Sequence, residues 1–205
     1  MLDAAEEVRF RRIALRLECA TIIWNAGEAV LTVVLGIVAA SLALIGFGTD
    51  SVIEIFASSV VVWHLLPGHS AGAKERTAPA LRLVSVAFAV LAVVLAVVAL
   101  RDLIAGRRPE ESVWGIVYLA VTALVMLGLA RAKHRIAVDL ESAPLRSEAT
   151  MTFLDGILAT TTTAGLALNA GLGWWWADPA AALLVAVAAA NEARENWQEA
   201  AEFAA

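Results

Sequence analysis

Charge is scarce in this chain. Of its 205 residues, Asp, Glu, Lys and Arg together make up 17%, where soluble domains carry roughly 25%. Cysteine occurs once, as Cys19, so a disulfide scaffold is excluded. The net charge is −5 and no basic stripe is interleaved with aromatics, so nucleic acid is not an expected partner. No Gly-rich phosphate loop and no nucleophile–base set occurs, so the chain is not expected to be an enzyme. Asp3, Glu6 and Glu7 precede the first arginine. That is a poor start for a secretory leader, and the first apolar segment is expected to persist as a helix.

What is present is apolar: 60% of the residues are hydrophobic, in blocks of about twenty, the length that crosses a bilayer core. The blocks predict an all-α, polytopic membrane protein of six transmembrane helices in one domain (13–39, 41–66, 79–104, 112–132, 143–170 and 179–197). The tail after the last apolar run is too short for a soluble domain of its own. Ser112, Ser142 and Asp178 stand where helix N-caps belong, the latter two just before Pro144 and Pro179. The Thr160–Thr163 run is expected to bond back to the preceding turn or across to another helix.

Lys and Arg set the orientation. With the N-terminus inside, the inner segments hold Arg9, Arg11, Arg12, Arg16, Lys74, Arg76, Arg82, Arg131, Lys133, Arg135, Arg146 and Arg194, and the outer loops hold only Arg101, Arg107 and Arg108. Both termini are therefore expected in the cytoplasm, with Trp174, Trp175 and Trp176 at the outer interface. A bacterial inner membrane is the expected location.

The informative feature is acid within apolar segments. Glu28, Asp50, Glu54 and Asp155 all fall there, with Glu18 nearer the inner end of the first helix. No Lys or Arg is expected at comparable depth. A carboxylate at mid-bilayer costs at least about 2.5–3.5 kcal/mol, so these acids should be protonated or bind cations. Asp50 and Glu54 are four apart, on one helical face that Ser58 extends. By helical rise, Asp50 and Glu54 lie about 14–20 Å along the second helix and Asp155 about 18 Å along the fifth, both at middle depth. Asn25 and Glu28 are three apart and also central. Carboxylate oxygens suit several divalent cations, and Met151, one turn before Asp155, could add a soft ligand.

Three stretches carry a resemblance. GFGTDSVIEIFASS (46–59) resembles the second helix of the cation diffusion facilitator family, LRSEATMTFLD (145–155) its fifth and GWWWADPAAALLVA (173–186) its sixth. The family's short branch, without a cytoplasmic C-terminal domain, is the most similar. The resemblance implies that Asp50, Glu54 and Asp155 are metal ligands. Met151 stands where the family most often has histidine, which leaves Glu28 as a further ligand. It also implies a homodimer in the lipid bilayer that exports a divalent metal ion in exchange for protons by alternating access, with no prosthetic group. Zn²⁺ is the first expectation, with Co²⁺, Fe²⁺, Mn²⁺ and Cd²⁺ as alternatives. A non-transporting metal-responsive scaffold and a proton-coupled carrier of another small cation are the rival readings.

Other residues have plainer expectations. Asn25 bridges helices, and Glu148 is solvated at the inner mouth or takes part in metal uptake. Glu18 is similar. His64, His69 and His134 are solvated at inner ends or loops. Glu192, Glu195, Glu199 and Glu202 form one helical face in water, and Cys19 is a small buried apolar residue.

Overall fold

The computed structural model describes residues 4–38, 42–66, 73–106 and 113–204. They form six helices: α1 (Ala4–Val38), α2 (Leu42–Leu65), α3 (Ala73–Ala105), α4 (Val113–Asp139), α5 (Ala143–Leu172) and α6 (Ala177–Glu202). No strand occurs among the described residues. The expected turn at 39–41, His69, Arg107, Arg108 and the Ser112 cap lie outside them, as does the side chain of Lys74.

Four of the helices contain stretches long and apolar enough to cross a membrane: Ala4–Val34, Glu75–Ala105, Ile116–Asp139 and Ala143–Asn169. Among the described residues, α2 and α6 do not, which corrects the expectation that all six segments qualify. The part of α2 whose side chains are described, 48–66, carries Asp50, Glu54, Ser58, Ser59 and His64, and α6 turns polar from Asn191 onward.

The helices pair as α1 with α2, α4 with α5 and α3 with α6. α1 also meets α4, and α2 meets α5, so these four surround a common interior, while α3 and α6 pack against the α2–α5 side. Contacts at both ends of the four helices fix their directions. Glu18 of α1 meets Lys133 of α4 and Glu28 meets Tyr118, so α1 and α4 run oppositely. Ser58 meets Glu148 and Glu54 meets Thr152, so α2 and α5 do too. Arg82 lies over the Trp197 ring and Arg146 bonds Glu199. The start of α1 and the end of α6 therefore lie at one end of an up-and-down bundle.

The packing is tightest at small residues. A Cβ on Gly48 would come within 2.7 Å of the Thr32 hydroxyl, and one on Gly156 within 2.9 Å of the Leu127 side chain. Glycine at these positions lets α2 close on α1, and α5 on α4, beside the polar residues. The exterior is the apolar surface. Ile23, Val30, Val93, Val97, Ile104, Leu124, Leu184 and Val187 are all more than half exposed. A lipid solvent permits this arrangement of apolar residues outside and polar residues inside.

Helix ends differ from expectation in three places. α4 runs on to Asp139 instead of ending at Ala132. Ser142 occupies the α5 N-cap with Pro144 in the first turn, but its hydroxyl makes no capping bond; the turn is held by its own N–H donating to the Ala137 carbonyl at 3.0 Å. α6 begins at Ala177 with Trp176 at the cap, so Asp178 lies inside the first turn, hydrogen-bonded to Thr162. The threonine run behaves as expected: Thr160, Thr161 and Thr163 donate to the carbonyls of Gly156, Ile157 and Ala159.

Candidate functional site: a polar ladder inside the bundle

On α1, Glu18, Thr21, Asn25, Glu28 and Thr32 are buried. Their spacings of three and four place them on one helical stripe. On α5, Glu148, Thr152 and Asp155 do the same, as do Asp50, Ser51, Glu54 and Ser58 on α2. The three stripes face one another, with α4 closing the fourth side, and build a ladder of polar groups along the interior.

At the end nearer the termini, Lys133 is fully buried. Its ammonium lies 2.7 Å from both carboxylate oxygens of Glu148, 3.2 Å from Glu18 Oε2 and 3.1 Å from the Thr152 hydroxyl. Ser58 donates to Glu148 Oε1 at 2.7 Å. Lys133, expected in an inner segment, thus lies inside the bundle, paired with Glu18 and Glu148. Because α4 continues past Ala132, Met126, Ala130, Lys133 and Ala137 form one buried stripe, and Lys133 points inward instead of standing in a loop. Glu148 and Glu18, expected near a wet mouth, are both fully buried.

One step along, Thr152 donates to Glu54 Oε1 at 2.6 Å and Asn25 Nδ2 donates to Glu54 Oε2 at 3.2 Å. Asn25 thus bridges α1 and α2. Next come Asp50 of α2 and Asp155 of α5, both buried and close enough for each to act on the other's charge. Asp155 Oδ2 has no partner. At the far end Glu28 accepts from Tyr118 at 2.7 Å and Thr122 at 3.4 Å through Oε1, and from Ser51 at 3.1 Å through Oε2.

The structure therefore brings Asp50 and Asp155 together, engages Glu54 with Thr152 and Asn25, and holds Glu28 with hydroxyls from α2 and α4. Met151 is buried in the apolar core among residues such as Leu154 and Leu158. Among the described residues, no three His, Cys, Asp or Glu side chains converge closely enough to hold a metal ion. A cavity of about 570 Å³ opens elsewhere, between α4 and α5, lined by Arg131, His134, Arg135 and Phe153.

Sequence reasoning missed Lys133, Thr152 and Tyr118. The helical stripe through Met126, Ala130 and Ala137 was the available signal for Lys133. His64 is buried and Cys19 is exposed, each the reverse of expectation. On the surface, Glu199 pairs with Arg146 at 2.7 Å, so the acidic face of α6 is not wholly in water. Compared with family models and with curated proteins, the chain matches none.

Proposed function

We propose that this protein is a proton-coupled carrier of a small divalent cation, working by alternating access at the Asp50–Asp155 level of the ladder. The observation that carries the reading is the juxtaposition of those two buried carboxyls on different helices. Two ionised carboxylates this close and this buried repel each other, so the pair needs a proton or a cation beside it. Proton and cation then compete for one place, which is the elementary requirement of exchange.

The cargo is a bare ion because the surroundings are small. Gly48, Ser51, Thr152 and Gly156 flank the two acids in sequence, small residues unlike the aromatic walls that receive organic cations. Glu54 sits one turn from Asp50 and Glu28 closes the far end; a second conformation that turns either toward Asp155 completes a ligand set suited to Zn²⁺ or a related transition metal. Met151 is the least suited ligand, since it packs in the apolar core.

All six helices span the membrane in this reading. Leu184 and Val187 of α6, and Val52 of α2, expose apolar side chains like those of the four longer apolar helices. The bundle end that holds the termini also holds most of the Lys and Arg, so it faces the cytoplasm of an inner membrane, and transport is outward. A homodimer belongs to the same reading by resemblance to cation diffusion facilitators.

The test is uptake of Zn²⁺, Co²⁺, Fe²⁺, Mn²⁺ and Cd²⁺ into proteoliposomes under an imposed pH gradient. Flux of one metal that follows the gradient and disappears in Asp50→Ala and Asp155→Ala supports the reading. Folded protein that moves none of them defeats it and leaves the scaffold alternative.

A further inference from the structure

The Lys133 cluster is more than a structural ion pair. One ammonium faces two carboxylates, from Glu148 and Glu18. Its three N–H donors are spread over four oxygen contacts once Thr152 is counted, so the oxygens outnumber what it can serve. Glu18 Oε1 is buried and accepts no hydrogen bond from a donor. Ser58 and Thr152 add hydroxyls to the same group. The residues come from four helices, and every side chain is fully buried. This is a cage of oxygens around a small cation, and the cation present is a side chain of the protein.

The cage also has a place in the sequence of sites. It lies between the terminus-bearing end of the bundle and the Asp50–Asp155 pair. Thr152 is common to both neighbours, touching Lys133 and Glu148 on one side and Glu54 on the other. An ion moving along the four-helix interior meets Glu148 before it meets Asp155.

We propose that the Glu18, Glu148, Thr152 and Ser58 cage is a second site for a divalent cation, occupied here by the Lys133 ammonium as a tethered competitor, and that the cargo reaches Asp50 and Asp155 by displacing it. The displacement step rests on the carrier reading above; the cage itself does not. A divalent ion that takes the place of the ammonium balances both carboxylates, where one ammonium leaves one negative charge in excess. The ammonium withdraws along its flexible stem, so no covalent change is needed.

The experiment uses the full chain in lipid nanodiscs, with Zn²⁺ binding read by equilibrium dialysis. In an Asp50→Ala/Asp155→Ala background, the expected result is no bound Zn²⁺ with Lys133 present, one Zn²⁺ per chain after Lys133→Ala, and none again when Glu148→Gln is added. A folded Lys133→Ala chain that binds no Zn²⁺ in that background overturns the proposal. Should that variant not fold alone, methylammonium supplies the probe: recovery of a cooperative unfolding transition by methylammonium but not by the larger tetramethylammonium supports the cage, and no recovery overturns it. Lys133→Arg in the otherwise native chain reads the displacement step. A guanidinium fork grips Glu148 in two places, and Zn²⁺ flux should fall at least tenfold with the fold intact; unchanged flux removes Lys133 from the path. Gain of binding in the background without flux in the native chain sinks the carrier reading while leaving the cage standing.

Discussion

The two ends of the ladder solve the same problem differently. At one end, Glu18 and Glu148 are buried against a lysine, with the ammonium 2.7 Å from Glu148. At the other, Glu28 is buried against Tyr118, Ser51 and Thr122, and Asp50 and Asp155 lean on each other. The first arrangement is held by charge, with its cation built into the chain and giving way only to a competing ion. The second has no cation beside it among the described residues, so its acids depend on mobile protons or ions. The contrast teaches where stability and function part: removing a partner at the Lys133 end should damage the fold, and neutralising an acid at the Asp50 end should damage only the activity.

The largest effect should come from Lys133→Ala. It strands two buried carboxylates, and breaking a buried pair in this way typically costs about 3–5 kcal/mol. The unfolding midpoint in mild detergent should drop sharply. Replacing all three members together, as Lys133→Met/Glu18→Gln/Glu148→Gln, should recover most of that loss, because no charge is left unpaired. Equal loss in the single and triple variants would mean that packing, not charge, holds this end.

Asp155→Asn should do the opposite. It keeps the shape, removes an ionisable group and supplies donors to Asp50, so the midpoint should hold or rise while gradient-driven flux is lost. An uncompensated acid at this depth costs on the order of 2.5–3.5 kcal/mol, which bounds the gain. A fall in stability comparable to that of Lys133→Ala would erase the distinction between the two ends. Between these extremes lies Tyr118→Phe, which takes one 2.7 Å hydrogen bond from Glu28. Bonds to charged groups are worth about 1.5–3 kcal/mol. Because Ser51 and Thr122 remain, the loss should fall at the lower limit, read from the same unfolding curves.

Much of this arrangement was legible in the residues. Glu18, Asn25 and Glu28, or Asp50 and Glu54, declare polar faces by spacing alone, and the six apolar blocks declare six helices. The partners were not legible. Whether Thr152 or Met151 faces the α2 acids turns on about one hundred degrees of rotation about α5, which the sequence does not fix. Lys133 was obscured by its neighbours: Arg131, His134 and Arg135 read as a wet loop, and only continuation of α4 to Asp139 turns one basic residue of the four inward. Spacing shows which groups share a face, while the facing helix decides which of them are neutralised.

The smallest effect sharpens the comparison from outside the ladder. Arg146 and Glu199 also meet at 2.7 Å, the distance of the Lys133–Glu148 pair, but at the surface, with Arg146 about half exposed. Water screens such a pair and both long side chains lose freedom in making it, so it should be worth only about 0.2–1 kcal/mol. A double-mutant cycle with Arg146→Ala and Glu199→Ala, followed by thermal unfolding, should give a coupling near the lower figure that fades as salt is added. The same cycle on Lys133 and Glu148 should give several-fold more and respond little to salt. Two ion pairs of identical length in one molecule would then differ only in solvent, which is the variable that separates the buried ladder from the surface of the bundle.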